Sequence, residues 1–125
     1  MTPEHDDQLH AAVALYNRGA YFDAQQAFET LYNQIEAGDQ ALVRSLMMLA
    51  TGMHLHFNRG GGRGALNLFR QSLVILDDLK PERDEIATGE LFDALEAYLL
   101  EVQGRTKPGA GFFDRWLAPK IRYVR

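Results

Sequence analysis

Residues 42–57, LVRSLMMLATGMHLHF, decide the fold, because apolar side chains occupy every side of a helix drawn through them. A helix without a consistently polar face is a buried one. The stretch is shorter than the roughly 20 residues that cross a bilayer, and Arg44, His54 and His56 interrupt it. It therefore predicts a buried central helix around which the other helices pack.

Length and composition set the class of protein. The chain has 125 residues, 46% of them hydrophobic and 24% charged, which is ordinary for one globular domain. We expect a helical bundle over residues 1–104 and a linker with a C-terminal arm over 105–125. The chain has no cysteine, which excludes disulfides, thiolate chemistry and zinc sites built from sulfur.

Charge and the first residues bear on location and partners. The opening MTPEHDDQLH is acidic and does not resemble a signal peptide, so we expect a cytoplasmic protein with no membrane segment. The formal net charge of −4 argues against a nucleic-acid partner. The expected partner is an unknown small ligand or a protein, and self-association into a homo-oligomer stays open. The charge is uneven, however, because residues 112–125 hold four basic side chains against the single Asp114.

Apolar spacing and glycine stops predict an all-α fold. The pattern is that of a compact bundle of about five helices, built from two antiparallel hairpins around the buried third helix, with an extended C-terminal arm. Asp39 is the expected cap of the third helix, and Ala65, Leu68, Phe69, Leu73, Val74 and Leu76 the inward face of the fourth. The charged PERDE segment, 81–85, has room for a turn of helix. The predicted helices cover 4–17, Tyr21 to near Gly38, Asp39 to about Phe57, Arg63 to Leu79, and a last one that ends at Gly104.

The two predicted hairpins resemble each other. Ala24 with Phe28, and Ala65 with Phe69, place a small residue four positions before an aromatic one, as in the second helix of a tetratricopeptide repeat. Their separation of 41 residues exceeds the repeat length of about 34. A repeat array is therefore not expected, but a tetratricopeptide-like module for protein interaction or self-association is the alternative function.

Three segments together resemble a known helical family: YNRGAYFDAQQAFETLY at 16–32, LATGMHLHFNRGGGRGALNLF at 49–69, and APKIRY at 118–123. They look like the family catalogued as domain of unknown function 309, from about Leu9 to the C-terminus. The resemblance implies an HxxxExxW or HxxxExxY motif on the second helix, suspected of metal binding. The lead-in N-x-G-x-[YF]-[FY]-[ED]-A is intact, running from Asn17 through Ala24.

The motif itself is altered. Gln25 stands where the family has histidine, whereas Glu29 and Tyr32 match. The spacing of the three puts them on one stripe of a helix with about 3.6 residues per turn. Glutamine offers only a weak neutral oxygen ligand, so we expect a degenerate ligand site and no working metal centre or cofactor. The alternative is that these polar groups only fix packing. If Glu29 is half-buried, its pKa would be raised and it could act as a base or a ligand.

His54 and His56 are the other ligand candidates. They lie two positions apart, hence about 200° apart around a helix, and cannot both hold one ion unaided. The family resemblance implies a histidine near this point, and either residue could be its counterpart. A histidine at such a position is more often a core or boundary residue than a ligand, and we favour that reading for each.

Two further segments could bind anions. Arg59 and Arg63 flank a glycine turn whose N–H groups open the fourth helix, although the turn lacks the lysine and Ser/Thr of a P-loop. The arm combines Phe112, Phe113 and Trp116 with basic residues, which could stack on nucleic acid. We favour instead a flexible connection at the turn, and an arm that covers the bundle with its aromatics. No Ser/His/Asp set is visible, so an enzyme is not the expected reading.

Overall fold

The computed structural model describes residues 1–105 and 114–124. The all-α prediction is confirmed, since the described part of the chain forms helices and only isolated β-bridges. The helices are α1 Pro3–Asn17, α2 Tyr21–Tyr32, α3 Ala37–Asn58, α4 Arg63–Asp78, α5 Thr88–Gln103 and the short α6 Asp114–Leu117.

Helix α3 is the centre of the bundle, as the sequence predicts. It packs against both α2 and α4, while α1 packs on α2 and α5 on α4. Its approach to α4 is close: a Cβ built on Gly52 would lie 2.7 Å from Cε1 of Phe69. The small residues of both hairpins, Ala24 and Ala65, are fully buried, and so are the aromatics Phe28 and Phe69.

Two helix ends differ from the prediction. Helix α2 ends at Tyr32, short of Gly38, because the backbone tightens and the Gln34 N–H donates to the Leu31 carbonyl at 2.9 Å. Helix α3 starts at Ala37 with Glu36 as its N-cap residue. Asp39 therefore lies inside the first turn of α3 and is not its cap.

The inward face of α4 is narrower than predicted. Ala65, Phe69, Ser72 and Leu76 are buried, and the Ser72 hydroxyl donates to the Ser45 carbonyl at 2.9 Å. Val74 was predicted to face inward, but its side chain is 69% exposed. It lies two residues from both Ser72 and Leu76, hence about 200° from the buried stripe.

The PERDE segment forms a β-bridge instead of a helical turn. The backbones of Arg83 and Ile86 exchange hydrogen bonds of 3.0 and 2.9 Å across Asp84 and Glu85, which both have positive φ. Ile86 is bridged in turn to Tyr123 of the arm.

The C-terminal arm docks on the bundle in extended form. The Tyr16 hydroxyl donates to the Pro119 carbonyl at 2.7 Å. The Asn17 amide pairs with the backbone of Ile121, donating through Nδ2 and accepting through Oδ1, at 2.8 Å each. Residues 16–32 and 118–123, two of the three segments that carry the family resemblance, are thus in direct contact.

The aromatic residues of the arm do not all pack as expected. Tyr123 stacks on His10, with ring centroids 4.6 Å apart. Trp116 is 82% exposed, so the expectation that it covers the bundle is wrong. Phe112 and Phe113 lie outside the described residues.

Candidate functional site

A pocket of 230 Å³ lies where the α1–α2 turn meets the C-terminal arm, and we name it the arm pocket. One wall is formed by residues 17–19 and Tyr21, and the other by Arg115, Trp116 and Lys120. Gly19 forms part of the first wall with a φ of +85°, and Nη1 of Arg115 lies 3.5 Å from where a Cβ would be, an ordinary van der Waals distance. A side chain at this position would be strained in the left-handed region.

Three cationic side chains surround the arm pocket: Arg18, Arg115 and Lys120. Lys120 Nζ donates to the Asn17 carbonyl at 2.8 Å, which leaves two of its three N–H groups for other acceptors. The Arg115 guanidinium lies 4.9 Å from the centre of the Phe57 ring. Within residues 1–105 and 114–124, no carboxylate forms an ion pair with any of the three cations. Among the described residues, the three cations of the pocket are therefore without an ion-pair partner.

Tyr21 supplies an aromatic wall. Its ring lies edge-on to Tyr16 at 5.3 Å and stacks on Phe57 at 5.7 Å. Burial raises the pKa of Tyr21, and the neighbouring Arg115 opposes this only in part. The hydroxyl therefore stays protonated at neutral pH and can donate a hydrogen bond.

Trp116 and Leu117 form an apolar rim beside these cations. Their side chains are 82% and 59% exposed, although both belong to a segment that is docked at either side. An exposed large aromatic next to uncompensated charge is typical of an interaction surface.

A cluster of buried polar side chains holds the first residue of α6, Asp114, against α3 and α5. Asp114, 3% exposed, accepts a two-pronged hydrogen bond from the Arg105 guanidinium. Nε2 of His56 lies 3.9 Å from the Asp114 carboxylate and shares a 2.7 Å hydrogen bond with the Tyr98 hydroxyl. This cluster joins α3, α5 and α6, and it places Arg115 and Trp116 at the pocket.

Burial governs the protonation of this cluster. It lowers the pKa of His56, and Arg105 adds to the effect while Asp114 opposes it. It raises the pKa of Tyr98, with a further contribution from the Asp114 carboxylate. At neutral pH the pair is thus an uncharged imidazole and an uncharged phenol.

The predicted stripe on α2 is only partly buried. Gln25 and Tyr32 are half-buried, and the Tyr32 carbonyl accepts a 3.3 Å hydrogen bond from Gln40. Glu29 is exposed, so the expectation of a half-buried carboxylate is wrong. The ligand role of the stripe remains a prediction.

The two histidines of α3 point to different neighbours. His54 contacts Phe22 at the start of α2, with ring centroids 5.2 Å apart, and its Nδ1 is buried without a hydrogen-bond partner among the described residues. His56 faces Tyr98 on α5 instead. His54 is therefore the one that could join a site on α2, and His56 belongs to the buried cluster.

The predicted anion turn is exposed. Arg59 and Arg63 lie at the surface on either side of Gly60–Gly62, all three of which have positive φ. The N-cap residue of α4 is Gly62, which has no side chain to cap the helix. Its anion-binding role also remains a prediction.

A metal site finds no support in the described ranges, 1–105 and 114–124. They contain no group of three or more His, Asp or Glu side chains placed to hold an ion. Nor does any helix there combine the length and apolarity needed to cross a bilayer.

Comparison with protein families finds a match for part of the chain. Residues 9–68, from α1 into α4, match the family described as Domain of unknown function (DUF309). This part of the chain, 60 of its 125 residues, is therefore similar to that family. No curated protein and no solved structure matches the chain.

The family match spans only one wall of the arm pocket. It includes residues 17–19 and Tyr21, and it ends before the residues of the other wall. Sequence reasoning missed the cluster of Arg105, Tyr98 and Asp114, which meets His56, 42 positions before Tyr98 in the chain. The one available signal was Asp114, a single acid in an otherwise basic C-terminal end.

Proposed function

We propose that this protein is a non-catalytic binding module that holds an anionic group of its ligand in the arm pocket. The observation that carries the proposal is the trio Arg18, Arg115 and Lys120, which surrounds one pocket and has no carboxylate partner in the described residues. Guanidinium and ammonium groups bind carboxylates and phosphates through charge-assisted hydrogen bonds. Tyr21 adds a neutral donor.

The volume of the pocket supports binding of a group rather than of a whole cofactor. Pockets for drug-sized molecules measure about 300–1,000 Å³, and the arm pocket measures 230 Å³. It has room for a carboxylate or a phosphate group with the atoms next to it. The rest of the ligand would lie over the rim at Trp116.

The surroundings give little support to catalysis. His56, the natural candidate for a general base, is 2% exposed and engaged by Tyr98 and Asp114. A general base must reach the proton that it removes. The buried cluster instead supports a positioning role for α6.

Intrinsic fluorescence tests the proposal directly, because Trp116 is the single tryptophan of the chain and lies on the pocket. The probe is inorganic pyrophosphate, titrated at low ionic strength. We expect a saturable change in emission, and at least tenfold weaker binding in Arg18→Glu. The matched control is Arg44→Glu, the same charge reversal at an exposed position of α3 outside the pocket.

Two results would overturn the proposal. One is the absence of any saturable change in the wild-type protein. The other is an equal loss of affinity in both variants, which would mean that overall charge and not the pocket governs binding.

A further inference from the structure

We propose that the anionic group belongs to a partner protein: a Glu or Asp side chain of an acidic segment enters the arm pocket, and an apolar side chain of the same segment covers Trp116. This inference rests on the proposed function above. It names the class of ligand, which the pocket charge alone leaves open between carboxylate and phosphate.

The charge of the chain favours a short acidic segment over a nucleic acid. The protein carries 17 acidic and 13 basic residues, so a long polyanion would be repelled outside the pocket. Nucleic-acid surfaces gain affinity from many phosphate contacts. Here three cations meet at one small pocket, which suits one or two carboxylates.

The rim favours a partner with an apolar side chain. Ion pairs at an exposed surface contribute little to affinity on their own. Trp116 is 82% exposed and Leu117 59% exposed, and covering them would supply what the charges do not. Tryptophan, tyrosine and arginine dominate protein–protein hot spots, and the arm pocket combines Trp116, Tyr21 and Arg115.

The surface is also organised before any partner arrives. Asp114 holds one end of α6 through Arg105, and Ile121 is held by Asn17. Arg115, Trp116 and Lys120 all lie between these two attachment points. A surface ordered in advance loses little entropy on binding.

The test uses four probes at one ionic strength, read by Trp116 fluorescence. The first is a capped peptide with three glutamates around one phenylalanine. The second replaces its glutamates with glutamine, and the third replaces its phenylalanine with alanine. The fourth is a ten-residue oligothymidylate, and the pyrophosphate titration serves as reference.

We expect the first peptide to bind at least tenfold more tightly than either altered peptide and than the oligonucleotide. Arg18→Glu should remove most of this affinity. Calorimetry then tests the rim: Trp116→Ala should weaken the first peptide at least tenfold. Leu100→Ala, which shortens an apolar side chain 64% exposed on α5, should leave the affinity unchanged.

The outcomes separate the two proposals. If pyrophosphate or the oligonucleotide binds in an Arg18-dependent manner and the acidic peptide does not, the peptide inference is wrong and the anion pocket stands. If the glutamine peptide binds as well as the glutamate peptide, the carboxylate is not what is recognised and the inference fails as well. If no probe binds, both proposals fall.

Discussion

Replacing Asn17 with alanine should detach the C-terminal arm from the bundle. The Asn17 side chain donates to the Ile121 carbonyl and accepts from the Ile121 N–H, both at 2.8 Å. Ile121 is only 2% exposed, so water cannot replace these two bonds while the arm stays docked. The substitution thus leaves one donor and one acceptor unsatisfied.

The expected loss follows from these two bonds. A hydrogen bond contributes about 0.5–1.5 kcal/mol net, and leaving a buried partner unsatisfied costs about 1–3 kcal/mol. The helix propensity of alanine returns at most about 0.7 kcal/mol at the end of α1. We therefore expect Asn17→Ala to lower the free energy of unfolding by about 2–3 kcal/mol.

Urea denaturation, followed by both circular dichroism and Trp116 fluorescence, measures this loss. The control is Asn67→Ala, at an exposed position on α4 whose side chain only accepts from Arg70. It should change stability by no more than about 0.5 kcal/mol. A change that small in Asn17→Ala would show that the paired hydrogen bonds do not hold the arm, and the described docking would be refuted.

Three further predictions test the core, the buried histidine and the α2 stripe. Gly52→Ala should destabilise the protein by about 1–3 kcal/mol in thermal melts, because its Cβ would meet the Phe69 ring at 2.7 Å; the control Gly64→Ala meets nothing closer than 3.8 Å and should stabilise by up to about 1 kcal/mol. Burial lowers the pKa of His56, so the folded state takes up fewer protons than the unfolded state. The stability that His56 contributes is therefore retained above about pH 6.5 and is lost as the pH falls from there towards the folded-state pKa. His56→Gln should flatten that part of the pH profile of stability, and an unchanged profile would assign the pH dependence to other groups. Gln25→His should raise zinc or nickel affinity at least tenfold, about 1.4 kcal/mol, with Glu29→Ala abolishing the gain, and calorimetry in which the unmodified chain already binds tightly would place the site elsewhere.

Local patterns were sufficient to predict the helices. Apolar spacing located α1, α4 and the end of α5 to within a few residues, and an apolar stretch without a polar side identified α3 as the central helix. These signals depend only on residues a few positions apart, which a helix brings onto one face. The fold class follows from them because each such face must be buried against another helix.

The contacts that could not be predicted from the sequence join residues that are far apart in the chain. His56 and Tyr98 are 42 positions apart, and their hydrogen bond has no signature in either segment. Glycine or proline patterns cannot predict such contacts, because they describe only the local backbone.

The family resemblance acquires a physical meaning in the structure. The lead-in that carries part of this resemblance runs from Asn17 through Ala24. In the structure Asn17 binds the arm, and Gly19, with its positive φ, lies beside Arg115 of the opposite wall. These two residues build the arm pocket, whether or not the stripe that follows them binds anything.

Docking of the arm and binding in the arm pocket must therefore be thermodynamically linked. One wall of the pocket belongs to the arm, so a ligand that needs both walls binds only the docked form. Such a ligand stabilises that form by RT ln(1 + [L]/Kd), about 2.7 kcal/mol at one hundred times Kd. By the same linkage Asn17→Ala, which removes none of the three cations, should weaken binding in proportion to the fraction of molecules with an undocked arm. If its affinity matched that of the wild type while the arm was shown to be undocked, the ligand would be held by Arg18 and Tyr21 alone, and the second wall would have no part in binding.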